Sequence, residues 1–160
     1  TSTCLTSDSL NYLTNNMKHV WTILCQNSSV DSNTNLLSIF NCLEELKLDI
    51  DTHKAPKTDE LVIPLGAQLV SLWAIENQNE DNVLETRVEM LDPNNKPLGK
   101  FDQRMDVKKG PSRFRSIMNI QQIKITKEGR YTVRMQQKKK GKEDFGVVAE
   151  LPLDIKISYK

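Results

Sequence analysis

Histidine, cysteine and aromatic residues are scarce in this 160-residue chain, with 2 His, 3 Cys and 6 % Phe, Trp and Tyr. The two histidines, His19 and His53, leave little material for a metal cluster or a histidine-based catalytic relay. A zinc site built from Cys25, Cys42, His19 and His53 would lack the close Cys-x-x-Cys or His-x-x-x-His pairs of such sites. Cys25/His19 and Cys42/His53 can be drawn as thiol dyads, but no nucleophile motif such as Gly-x-Ser-x-Gly surrounds them. The 6 glycines are isolated, so there is no Gly-rich phosphate loop. Asp49, Asp51 and Asp59 share one polar stretch without the ligand pattern of a calcium loop. No apolar run approaches the roughly 18 residues of a membrane helix. Residues 1–17 show neither the basic start nor the apolar block of an export signal. Three widely spaced cysteines, Cys4, Cys25 and Cys42, then point to reduced thiols in a cytoplasmic protein. The expectation is a protein with no catalytic residues, no cofactor, no metal and no membrane partner.

Charge is present but uneven. Residues 1–60 and 61–99 each carry a net −4, whereas 100–160 hold 16 basic and 7 acidic residues, a net +9. Two basic clusters stand out: Lys108, Lys109, Arg113 and Arg115, and the run Lys138, Lys139, Lys140 and Lys142. Converging on one surface, they would attract a polyanion through counterion release. No aromatic residue is interleaved with the lysine run to stack bases. Lysines at a hairpin tip also keep strand edges apart. Interleaving of the acidic and basic segments in one sandwich would neutralise both.

Hydrophobic periodicity is mostly that of strands. Residues 19–25 are rich in branched and aromatic side chains. The polar stretch 27–35 reads as a loop, because short polar side chains bond to local backbone. Residues 36–48 fit either a helix face or a buried strand; we read a strand over 36–43, followed by an exposed connection over 49–60. Further strands are expected over 67–76 and 83–91, where Leu84, Thr86, Val88 and Met90 alternate against Glu85, Arg87 and Glu89. Asp92-Pro93-Asn94-Asn95 has the chemistry of a tight turn. The same alternation continues through Phe101, Gln103, Met105 and Val107, then over 114–120, 130–136 and 147–158. About eight evenly spaced strands predict an all-β, antiparallel sandwich over 19–160 behind a polar leader over 1–18 that could hold a short helix.

Ile125-Thr126-Lys127-Glu128-Gly129-Arg130-Tyr131-Thr132-Val133 resembles the tyrosine corner of immunoglobulin-like sandwiches, in which an early-strand Tyr hydroxyl bonds back to nearby backbone. Trp73 and Trp21 are equal candidates for the core aromatic. The chain is also similar to a group of small bacterial proteins of unknown function. That resemblance rests on Trp21-Thr22-Ile23-Leu24-Cys25, Val30-Asp31 through Asn35, Ser38-Ile39-Phe40-Asn41, the Glu-Gly-x-Tyr turn and Ala149-Glu150-Leu151-Pro152-Leu153. It spans residues 19–157 and implies a sandwich, a bacterial origin and a cytoplasmic location. It transfers no active site.

The expected function is a non-enzymatic binding or adaptor module that presents loops or a sheet edge to a protein partner, or to a second copy of itself. The candidate loops are 28–35 and 49–60, opposite in charge to the lysine tip. The alternative is an electrostatic nucleic-acid binder using Lys108, Lys109, Arg113, Arg115, Lys138, Lys139, Lys140 and Lys142. An unrecognised enzyme or metal protein comes last.

Overall fold

Alternating side chains give each strand one apolar face, which must be covered by a second layer. In the computed structural model, which describes residues 16–54 and 59–160, the chain meets this demand with nine strands and no helix among the described residues. They are β1 (Met17–Val30), β2 (Leu37–Cys42), β3 (Glu45–Ile50), β4 (Leu61–Ile75), β5 (Asn82–Leu91), β6 (Pro97–Val107), β7 (Arg113–Ile125), β8 (Gly129–Lys138) and β9 (Phe145–Tyr159). One sheet has the order β2-β1-β4-β7 and the other β3-β9-β8-β5-β6. The five-stranded sheet curls into a half-barrel. No helix of the described residues is long and apolar enough to cross a membrane. Most of the leader, residues 1–15, lies outside the described residues, whereas Met17 is already buried in β1.

The ninth strand comes from the ambiguous stretch 36–48. Instead of one strand over 36–43, the chain forms β2, breaks, and forms β3. Leu43 N–H donates to Leu24 C=O in the first sheet, while Glu44 C=O accepts from Asp154 N–H in the second, so the chain changes sheets between adjacent residues. Having crossed over, β3 runs parallel to β9, whereas every other strand pair among the described residues is antiparallel. A crossing, unlike a hairpin, does not force antiparallel pairing. The stretch 27–30 is strand rather than loop, because Asn27, Ser28, Ser29 and Val30 find partners in Phe40, Ile39, Ser38 and Leu37. Tertiary pairing there overrides local propensity.

The core lies between the sheets and includes Leu24, Leu69, Trp73, Leu84, Val88, Tyr131, Val133, Leu153 and Ile155. Trp73 is the fully buried tryptophan, and its Nε1–H donates to Ser116 Oγ at 3.0 Å. Trp21 is only half-buried. The Asp92–Asn95 turn forms as expected: Asn95 takes the left-handed conformation (φ 63) and Asp92 Oδ1 accepts from Asn94 and Lys96 N–H.

The turn between β7 and β8 is tied by Tyr131. Its hydroxyl donates to Lys127 C=O at 2.6 Å and accepts the N–H groups of Thr126 (3.0 Å) and Lys127 (3.2 Å). One donor and two acceptor positions exhaust what a hydroxyl offers. Gly129 completes the corner at φ 143, where a Cβ would come within 2.9 Å of Pro93 Cγ. The β7–β8 turn therefore packs directly on the β5–β6 turn. Tyr131→Phe leaves three backbone groups without their partner, and should lower unfolding free energy by about 2 kcal/mol in urea titration, with an unchanged denaturant slope.

Candidate functional site: the open edge between the sheets

β6 and β7 are terminal strands of opposite sheets, each with one side unpaired. Between them runs a groove of about 730 Å³ whose apolar lining includes Leu24, Leu65, Val88, Met90, Leu98, Met118, Ile120 and Val133. Phe101 pairs with Val88 across β5 and β6, so both face the core side of their sheet. Val88 is buried, yet Phe101 is 56 % exposed, because β6 is the terminal strand of its sheet and Phe101 borders the groove. The charged residues of the lining are Lys100 and Lys124; the other polar ones are Gln103, Asn119, Gln121 and Gln122. Sequence alternation puts Phe101 and Met105 on one strand face. It carries no signal that the opposite sheet stops short of them, so the groove was not legible.

The two basic clusters lie partly at one end of the molecule, with carboxylates between them. Lys108 Nζ is 3.6 Å from Asp81, whose Oδ1 also accepts from Lys109 N–H. These bonds hold the Asp81 carboxyl below its ordinary value, the backbone bond from Lys109 first. Lys138, Lys139, Lys140 and Lys142 line a polar hollow of about 620 Å³ together with Glu80, Asp81, Glu85 and Glu143. Lys138 Nζ lies 3.7 Å from Glu85 and 3.3 Å from Glu143. Arg113 opens β7 opposite Ala74. Arg115 belongs to neither lysine group: its Nη2 donates to Asn35 C=O at 2.9 Å. The arrangement is a mixed-charge surface rather than a uniform basic patch.

Charge neutralisation extends over the outer face of the five-stranded sheet. Arg87 grips Asp102 with two bonds of 2.7 and 2.9 Å, and its guanidinium lies 4.1 Å from the Phe145 ring centre. Arg130 binds Asp154 likewise, and Arg134 sits between Glu150 and Glu89. These partners are direct cross-strand neighbours. Glu85 and Glu89 of β5 thus lie beside β8, whose charged residues Arg130, Arg134 and Lys138 are all basic.

The Arg115–Asn35 bond also shows where the β1–β2 hairpin goes. Arg115 and Trp21 both lie opposite Leu72, on β7 and β1. A straight β1 would carry Val30 about 30 Å beyond Trp21. Instead the hairpin turns back over the outer face of the four-stranded sheet, where Ser28 Oγ donates to Gln68 Oε1 at 2.6 Å. Cys25 and Val70, both fully buried yet outside the central core cluster, lie on that outer face. The candidate loop 28–35 is therefore folded down on the sheet. Of the other candidate loop, 49–50 belongs to β3 and 55–58 lies outside the described residues.

The thiol and histidine constellations do not assemble. His19 faces the core, with its ring 5.2 Å from Trp73 and its Nε2 2.7 Å from Thr22 Oγ1. Cys25 is on the opposite face of β1. Cys42 is exposed, and His53 lies in the turn after β3. Among the described residues no group of three or more His, Cys, Asp or Glu could hold a metal ion.

Burial pushes the His19 imidazole below its ordinary 6.5, so the folded chain favours the neutral ring. The unfolded chain binds this proton more readily, and the contribution of His19 falls as pH drops below 6.5 toward the folded value. Asp102, Asp154 and Glu45, held low mainly by hydrogen bonds from Arg87, Arg130 and Lys156, titrate below that window. Urea midpoints should therefore decline between about pH 6.5 and pH 5, and His19→Gln should flatten that decline.

Comparison with known proteins returns no matching family model and no matching curated protein.

Proposed function

We propose that this chain is a non-enzymatic binding module that pairs an extended segment of a partner protein along the open β6–β7 edge. The observation that carries the reading is an apolar groove flanked by two long strands that each have one unpaired side. Unpaired edges of this length are aggregation hazards unless they are blunted or used. Strand addition uses them: main-chain bonds supply affinity, and pockets for alternate side chains supply specificity. With Lys100 and Lys124 as the charged lining residues, the fitting segment alternates apolar and acidic side chains. A second copy of the chain in this role is the homo-oligomeric version.

The sandwich is read as immunoglobulin-like, supported by the Tyr131 corner and by a chain that crosses between sheets. The resemblance to small bacterial proteins of unknown function adds a bacterial origin and a cytoplasmic location to the proposal. Nucleic-acid binding through the lysine clusters is the weaker reading, because Asp81, Glu85 and Glu143 already engage Lys108 and Lys138.

Two synthetic peptides, one alternating Val with Glu and one Val with Lys, test the reading by calorimetry and amide exchange. The acidic peptide should bind and slow exchange along β6 and β7, and Phe101→Asp should weaken it about tenfold or more, roughly 1.4 kcal/mol. Equal binding of both peptides, or affinity indifferent to Phe101→Asp, would remove the groove as the site. Single-stranded DNA that protects residues 138–142 instead would favour the polyanion reading.

A further inference from the structure

Cys25 and Cys42 are opposite each other in the β1–β2 ladder. The neighbouring bond, Leu43 N–H to Leu24 C=O, places 25/42 at a non-hydrogen-bonded position of the ladder. Residues at such positions have Cα atoms about 4.5 Å apart, and their side chains share a face. That spacing lies inside the range disulfides accept. The pair also sits where the hairpin bends: Asn41, next to Cys42, takes φ 53, and regular pairing resumes only at Asn27 and Phe40. The two thiols differ in access, Cys42 being exposed and Cys25 fully buried.

We propose that Cys25 and Cys42 are a redox pair that closes to a cross-strand disulfide and pins the folded-back hairpin to the sheet. The oxidant is a hydroperoxide. The exposed Cys42 thiolate attacks the peroxide oxygen, giving Cys42 sulfenic acid and, from hydrogen peroxide, hydroxide. Cys25, having released its thiol proton to water, attacks the Cys42 sulfur and displaces a second hydroxide. Two thiols lose two electrons, the O–O bond is reduced, and two waters are the net product. Burial and the nearby Cys42 charge push the Cys25 thiol up, which suits it to the second step rather than the first. The cross-link restrains 27–41, the segment that carries the Ser28–Gln68 and Asn35–Arg115 contacts.

Sequence makes the test direct, since no Lys or Arg lies between residues 18 and 47 and Asp31 is the one aspartate between the two cysteines. The full chain is treated with limiting hydrogen peroxide, alkylated and cut with trypsin, so that both thiols fall in peptide 19–47. Cleavage at Asp31 should then leave two fragments joined until a reductant is added. Amide exchange over 27–41 should slow on oxidation and recover on reduction. In Cys25→Ala, Cys42 should accumulate as sulfenic acid, trapped by a dimedone probe. Cys4→Ser should leave the cross-link intact. Fragments that separate without reductant, or Cys42 joined to Cys4 or to a second molecule while Cys25 stays alkylatable, would overturn the proposal. A cross-link that forms without slowing exchange over 27–41 would overturn the pinning.

Discussion

A sandwich closes only where its two sheets end together, and in this protein they do so on one side only. On the closed side the chain itself crosses at Leu43 and Glu44, and Leu43, Leu46 and Leu48 pack against the core. On the other side β6 and β7 line one groove, and no strand among the described residues pairs with the free side of either. The curl of the wider sheet brings its core-facing residues to an opening. Phe101 is exposed for this reason, although its alternation is that of a core residue. The groove and its unpaired edges both follow from this one mismatch.

Closed regions of the core are fixed by polar contacts as much as by packing. Thr22, Ser71 and Ser116 stand opposite one another across β1, β4 and β7. Thr22 and Ser71 share a hydrogen bond, His19 extends it, and Ser116 accepts from Trp73. Among the described residues every buried side-chain nitrogen and oxygen has a partner. Since an unpaired buried polar group costs more than its bond contributes when made, this row of hydroxyls specifies strand register rather than adding much net stability. Gln137 serves between the sheets, donating to Met17 C=O at 2.8 Å.

The outward faces obey a different rule. Charges on the five-stranded sheet meet opposite charges one strand away, in exposed pairs that individually contribute little. Each pair neutralises charge locally: Arg130–Asp154 and Arg134–Glu150 within the basic segment, Arg134–Glu89 between the basic and acidic ones. The four-stranded sheet is covered differently, by its own hairpin over part of its outer face, which is why Cys25 and Val70 are fully buried there while Ile117 and Val62 stay exposed. The two sheets thus have two kinds of exterior, one solvated by charge and one partly capped by chain.

Local sequence determined the elements whose physics is local. Strict alternation marked β5, β8 and β9, the Asp92–Asn95 turn followed from side-chain chemistry, and the Tyr131 corner was visible because its bond spans only four residues. Pairing over long distances was hidden. Nothing near Asn27, Ser28 and Ser29 announces that β2 will hold them in a strand, and nothing near Glu45 announces a parallel partner more than a hundred residues away. The candidate site was hidden for the same reason. Phe101, Met118 and Ile120 read as ordinary core alternation, and only the relative extent of two sheets decides that they border an opening. Periodicity reports which way a side chain points; what stands opposite it is set by the rest of the chain.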